Sequence, residues 1–332
     1  MSTEECSSID SVDNAVSASE TESGPTPAQV VVVGSLHLDF VVRAPERPRK
    51  GETLPGESWN YKPGGKGGNQ AVAAAQFGTR VAMISRVGHD DFGRRLLENL
   101  KSAGVDTRHV SVDPDTGSGM SVAIVDAEGD YGAVIVSGAN LHLTTAEIDK
   151  AQHFLSTARV LIIQNEVPDV TNLAAAKLAK NHGVWVILNA APARPLGDEL
   201  AANVDLLIVN AVEAEMICGV GVTSLSAAAN AAAALSDRVP TVIVTAGGLG
   251  LALAKRGEAS YAEAAHRVNL LDTHGAGDTF VGALSARLAS DTSLKEAVQF
   301  ANAAAALFVS TPLEQKRTIS SDNVTHLLSR GR

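Results

Sequence analysis

The sequence predicts an α/β fold: a doubly wound, mostly parallel central sheet flanked by helices, with a small β-sheet lid. Three observations carry this prediction. β-Branched apolar runs recur along the chain and end in glycine or a polar residue, as strands buried on both faces do. Ala- and Leu-rich stretches with helical spacing alternate with those runs, which implies right-handed crossovers between parallel strands. Only 4% of the 332 residues are aromatic while 29 are glycine, so an aliphatic sheet under closely packed small-residue helices is favoured over an aromatic-rich sandwich.

The elements follow in order. Residues 1–28 are rich in Ser, Thr and acids and contain no Lys or Arg. That composition cannot recover its ordering entropy by burial, so a disordered tail is expected, and it lacks the basic-then-apolar pattern of a secretory signal. The folded domain is expected over residues 29–332. Its first strand is Gln29–Val33, ended by Gly34, and further strands are expected at Val81–Val87, Val160–Gln164, Val184–Asn189, Leu206–Val209, Thr241–Thr245 and Leu251–Ala254. Helical spacing marks Ala71–Phe77, Phe92–Ala103, Val170–Asn181, Leu225–Leu235 and Gly282–Ala289. Two stretches break this rhythm: residues 41–62, punctuated by Pro and Gly, and residues 118–136, which alternate apolar and polar around a turn at Asp126–Asp130. Both are expected to form short antiparallel strands of a lid over the carboxyl ends of the parallel strands, where such sheets bind ligands.

Composition narrows the function. The net charge of -10 gives no electrostatic footprint for a nucleic-acid binder or a polybasic membrane anchor. Apolar runs are too short to cross a bilayer. The two cysteines, Cys6 and Cys218, supply neither a disulfide framework nor a thiolate metal cluster, which fits a cytoplasmic protein. The chain has no HExxH, no GxSxG, no Walker A loop and no GxGxxG after its first strand, so metalloprotease, serine hydrolase, P-loop and dinucleotide-oxidoreductase readings lose their usual anchors.

What remains is a set of glycine clusters. Asp272-Thr-His274-Gly275-Ala276-Gly277-Asp278 opens a helix, and small residues there let backbone N–H groups turn toward an anion. A carboxylate beside bound phosphate is repelled, so Asp278 makes chemical sense as the base that takes a proton from a hydroxyl attacking that phosphate. The plainer alternative is a helix cap over a tight turn. Gly64-Gly65-Lys66-Gly67-Gly68-Asn69 allows close backbone approach to a polar ligand, with Lys66 and Asn69 as donors. Thr245-Ala246-Gly247-Gly248-Leu249-Gly250 follows a buried strand and suits a nucleotide loop or an ordinary turn. Asn210 and Glu213, three apart after another strand, can face one way toward Mg2+ or phosphate, or simply cap a helix.

Taken together, these residues resemble the ribokinase-like (PfkB) carbohydrate kinase family. GGKGGNQAVAAA, the GAN of Gly138–Asn140, NAAPAR at Asn189–Arg194, NAVEAE at Asn210–Glu215 and DTHGAGDTF fall in that family's order from about Val30 to Phe308. The resemblance implies ATP-dependent transfer of the γ-phosphate to the primary hydroxyl of a pentose, D-ribose first, with a nucleoside or another sugar as the alternative and a non-catalytic sugar-binding regulator as a more distant one. It implies Asp278 as base and Gly275, Ala276 and Gly277 as anion hole. His37, Leu38, Asp39, Gly65, Lys66, Gly67, Gly68, Asn69 and Glu166 match sugar-contact positions. Asn210, Thr245, Ala246, Gly247, Gly248, Leu249, Gly250, Gly277 and Asn302 match ATP positions, Glu213 is linked to Mg2+, and Asp272 and His274 match half of a K+ site through their carbonyls. A homodimer through the lid is also implied. Three positions depart from the pattern: His37 replaces an asparagine, Ala190 replaces a proline, and Ser310–Arg317 replaces the glycine-containing loop that closes the K+ site.

Overall fold

The computed structural model describes residues 28–330. The expected tail, residues 1–28, lies outside them apart from Ala28, which is buried. The strands are β1 (Val30–Val33), β2 (His37–Arg43), β3 (Ser58–Gly64), β4 (Val81–Gly88), β5 (Asp106–Asp113), β6 (Gly119–Val125), β7 (Tyr131–Val136), β8 (Val160–Gln164), β9 (Trp185–Asn189), β10 (Leu206–Asn210), β11 (Thr241–Thr245), β12 (Gly250–Lys255) and β13 (Tyr261–Ala264). The helices are α1 (Lys66–Gln76), α2 (Asp91–Ser102), α3 (Thr145–Lys150), α4 (Gln152–Thr157), α5 (Asp169–Asn181), α6 (Asp198–Ala201), α7 (Ala211–Cys218), α8 (Leu225–Ser236), α9 (Ala276–Leu288), α10 (Leu294–Ser310) and α11 (Ser321–Arg330).

The main sheet runs β13-β12-β11-β10-β9-β8-β1-β4-β5 and is parallel except where β12 and β13 join one edge antiparallel. Its strands are apolar on both faces because both are covered. Val31, Leu161 and Leu207 point into one core with α3 to α8, while Val30, Ile162 and Ile208 point into the other with α1, α2, α9, α10 and α11. This three-layer arrangement matches the predicted class, and each predicted strand of the main sheet is present within two residues of its expected bounds.

Two expectations change. The lid is a separate sheet, β3-β2-β6-β7, that reaches back to His37 and forward to Gly64, and its central pair β2–β6 is parallel instead of antiparallel. The reason is connectivity: the chain passes through β3, α1, β4, α2 and β5 between β2 and β6, so it can return in the same direction. The helices expected at Ala71–Phe77 and Gly282–Ala289 start earlier, at Lys66 and Ala276, each inside its glycine cluster. Gly67 permits the first, since a Cβ there would lie 2.7 Å from Ser35 N.

Candidate active site

The site grows from the carboxyl ends of the parallel strands. β1 ends at Val33, and the chain crosses to the lid through Gly34–Leu36. Buried Asn140, the last residue of the GAN motif, holds that crossing: its Oδ1 accepts from Leu36 N at 2.8 Å and its Nδ2 donates to Leu36 O at 2.9 Å. A side-chain amide here replaces the strand neighbour that Leu36 lacks.

Glu166 follows the end of β8. Its Oε2 accepts from Lys66 N, the first amide of α1, at 2.9 Å and from the Ser35 hydroxyl. His37 Nδ1 lies 4.0 Å from the same oxygen, and His37 Nε2 is buried with no hydrogen-bond partner among the described residues. Gly65, the N-cap, has φ 82, and a Cβ there would sit 2.8 Å from both His37 N and Ser35 O. Asp39 Oδ1 accepts from Ser121 Oγ at 2.5 Å, and Oδ2 fills the space beside Gly64. Leu38 is buried, backbone included, and presents nothing to the cavity in this structure. Gly67 and Gly68 are also buried, packed on the β1–β2 crossing in the first turn of α1.

Asp278 lies in the first turn of α9, after Gly275 at φ 88. Its Oδ2 accepts from Asn69 Nδ2 and its Oδ1 from Gln70 Nε2, both at 3.0 Å. Gln70 Nε2 also donates to Asn189 Oδ1 at 2.9 Å, and Gln70 Oε1 accepts from Gln164 Nε2 at 2.8 Å. Burial pushes the Asp278 carboxyl above its ordinary range, with the Lys66 charge and the two amide donors pulling the other way. The amides of the first turn have no acceptor within the helix itself. That of Ala276 turns back to Thr273 O at 3.2 Å. A Cβ on Gly277 would meet nothing within 4 Å, so this turn is open to a ligand. Asp39, Asn69, His274, Gly275 and Asp278 line one side of a cavity.

The positions matched to nucleotide lie on the neighbouring strands. Asn210 and Glu213 form a complete capping box at α7: Asn210 Oδ1 accepts from Glu213 N and Glu213 Oε2 accepts from Asn210 N. Burial raises the Glu213 carboxyl above its usual value, against that amide and the Lys66 charge, with Asp278 adding to the rise. Thr245 ends β11, Ala246 links it to a turn at Gly247–Leu249, and Gly250 adopts φ 120 where a Cβ would strike Glu263 O at 2.0 Å. Gly248 is open, and a Cβ there would meet nothing within 4 Å. Asn302 Nδ2 donates to Glu263 Oε1 at 2.9 Å and to Ala264 O at 3.0 Å, while Ala265 N donates to Leu249 O, so β13 joins Asn302 to the glycine turn.

Asp272 and His274 meet through a turn: Asp272 Oδ1 accepts from His274 N at 2.9 Å, and Asp272 Oδ2 accepts from Lys316 Nζ at 2.9 Å. Burial alone would raise the Asp272 carboxyl, but these hydrogen bonds bring it below its ordinary value.

The structure therefore joins Lys66, Asn69, Glu166, Glu213 and Asp278 in one electrostatic neighbourhood, with Asp39 and His274 on the adjoining cavity. Gln70, Gln164, Asn189 and Lys316 escaped the sequence reading. Gln70 and Asn189 stand inside the GGKGGNQ and NAAPAR motifs, and that position is their only signal in the sequence. Lys316 sat in the segment that departs from the family pattern.

The model of the pfkB family carbohydrate kinases matches residues 27–319. A ribokinase of Haemophilus influenzae is 36% identical over 281 residues, 84% of this chain and 92% of its own length. A deoxyribokinase of Salmonella typhimurium is 35% identical over 278 residues, 82% of this chain and 90% of its own. Among solved structures, Arabidopsis thaliana ribokinase complexed with ribose and ATP superposes with a TM-score of 0.84 at 29% identity, covering 91% of this chain and 99% of that one.

Proposed function

The chain belongs to the pfkB family of carbohydrate kinases, and on that premise we propose that it transfers the γ-phosphate of ATP to the primary hydroxyl of a pentose, D-ribose first. One observation carries the reading: a buried carboxylate, Asp278, stands at an open helix N-terminus and on a cavity shared with Asp39. Asp278 takes the hydroxyl proton as the sugar oxygen attacks phosphorus, a role worth roughly 10²–10⁴-fold in rate. The N–H groups of Gly277 and Asp278, with the Gly275 turn that aims them, receive the charge that develops on the transferred group. Ala276 belongs to this turn through its backbone, although its own amide is taken by Thr273.

Asp39 and Asn69 accept from and donate to sugar hydroxyls, while Lys66 and Glu166 hold the start of α1 in place. The Thr245–Gly250 turn and Asn302 flank the nucleotide, and Asn210 anchors the cap beside it. Mg2+ suits such a site: it prefers phosphates, waters and one or two carboxylates to a protein cage. Among the described residues no group of three or more His, Cys, Asp or Glu could hold a metal, and Glu213, buried within electrostatic reach of Asp278 and Lys66, is the carboxylate that would meet the ion. Bound magnesium neutralises phosphate charge. K+ fits less well, because the Lys316 ammonium already neutralises the side-chain carboxylate of Asp272, the residue whose carbonyl is matched to that site.

The lid is the proposed homodimer contact, supported by exposed Trp59, Val134 and Ile135 on its outer strands. A monomeric mass in solution would refute this. Among the described residues no helix is long and apolar enough to cross a membrane, and dependence on ATP fits a cytoplasmic location.

A nucleoside or another sugar is the second reading, favoured by the unpartnered Nε2 of buried His37. An ATP-consumption assay over free pentoses, hexoses and nucleosides separates them. Fastest turnover with D-ribose is expected. Faster turnover with a nucleoside would move the substrate to the second reading, and no acceptor-dependent consumption at all would end the kinase reading.

A further inference from the structure

Lys316 is only 5% exposed, although a lysine seldom gives up water without compensation. Its ammonium is 2.9 Å from Asp272 Oδ2 and 4.1 Å from the centroid of the Phe308 ring, an ion pair and a cation–π contact together. The backbone around it is pinned as well. Gln76 Nε2, at the end of α1, donates to Lys316 O and to Ile319 O, both at 2.8 Å.

Asp272 passes this restraint to the open turn of α9. Its other oxygen holds His274 N, and the N–H groups of Leu271 and Asp272 both reach Val309 O near the end of α10. Phe308, beneath the ammonium, lies against Gly275: a Cβ on that glycine would be 3.2 Å from the ring. One positive charge thus ties the Leu313–Thr318 segment, the end of α10 and the turn that presents Gly275 to Gly277. A monovalent cation seeking the Asp272 carboxylate would meet that ammonium at close range, and like charges repel strongly in a partly desolvated site.

We infer that Lys316 is a built-in cation. It is a positioning residue that holds the Asp272–Gly277 turn, and it makes phosphoryl transfer by this chain independent of potassium. The inference rests on the kinase reading for its effect on rate, but its cation binding can be read without turnover.

The test uses the full chain and its Lys316→Met and Lys316→Arg variants, each in potassium chloride and in tetramethylammonium chloride at equal ionic strength. Wild-type rates and melting temperatures should agree between the two salts, the rates to within about twofold. Lys316→Met should lose about tenfold or more in kcat, with a smaller change in sugar KM, and should gain both rate and melting temperature from potassium. Lys316→Arg should keep most of the rate in either salt. A wild-type rate or melting temperature that rises severalfold or by several degrees with potassium would overturn the inference while leaving the kinase reading intact. So would a Lys316→Met enzyme as active as wild type in both salts. If Lys316→Met does not fold, the wild-type comparison decides. If no acceptor is phosphorylated in either salt, the kinase reading fails, and the melting temperatures still decide whether potassium binds.

Discussion

Gln70 spends both hydrogens of its amide on Asn189 and Asp278, and Gln164 holds its carbonyl, so its orientation is dictated from three sides. The consequence for Asp278 has a definite sign. Hydrogen bonds to a carboxylate favour the ionised form, which is the form a base needs, and they oppose the upward push of burial. Gln70→Leu removes one such bond and should move the acid limb of the kcat/KM profile to higher pH. The same change strands the amides of Gln164 and Asn189, at a cost of about 1–3 kcal/mol in unfolding free energy. A pH profile with an unmoved acid limb would remove Gln70 from the account. None of this was legible beforehand, because a buried amide leaves no periodicity or spacing and is defined only by partners more than 90 residues away. Asp278 itself was legible, since a carboxylate directly after Gly-Ala-Gly conflicts with the anion site that those residues build.

At the scale of elements, the reaction centre depends on how closely α1 approaches α9. Gly282 makes that approach possible: a Cβ there would lie 2.5 Å from Ala73 Cβ and 2.7 Å from Ala74 N. Gly282→Val should separate the two helices at a cost of about 1–3 kcal/mol and lower kcat with it, because Asn69 and Gln70 ride on α1 while Asp278 rides on α9. Denaturant unfolding combined with a rate assay checks this, and an unchanged midpoint would show that the crossing has room to spare. Strands were legible from their apolar runs, whereas the start of α1 was misplaced by five residues. Glycine reads as a breaker in sequence, yet Gly67 and Gly68 sit in a helical turn because they pack against the β1–β2 crossing. The parallel β2–β6 pair was equally hidden, since alternation reveals a strand's faces but not its neighbour's direction.

Across the whole molecule, the sheet gathers loops from distant parts of the chain at one edge. Glu166 follows β8, Asn189 ends β9, Asn210 ends β10 and Thr245 ends β11, and each strand is parallel to the next. The overall charge of -10 has little to do with this edge, for six of the acids precede Gln29. The helices on one face deliver Asn69 and Asp278 to the cavity, and the lid sheet carries Asp39 and Lys62 to it as well. The order of motifs revealed this architecture in sequence. The ammonium of Lys316 did not show, because a lysine in a divergent segment reads as solvated until its burial is seen.

The central claim is that Asp278 is the base of a phosphoryl transfer, and Asp278→Asn tests it most directly. Its raised folded-state pKa means that this group's own contribution to stability is fully present below its unfolded value near 3.8 and is lost as pH rises through the folded value, so at neutral pH the buried ionised carboxylate opposes folding. Removing the charge should leave the melting temperature at neutral pH equal or higher. The variant should bind ATP, measured by calorimetry, nearly as the wild type does, while kcat with D-ribose falls by roughly 10²–10⁴-fold. A folded variant that binds ATP and keeps more than about a tenth of the wild-type kcat would contradict the account.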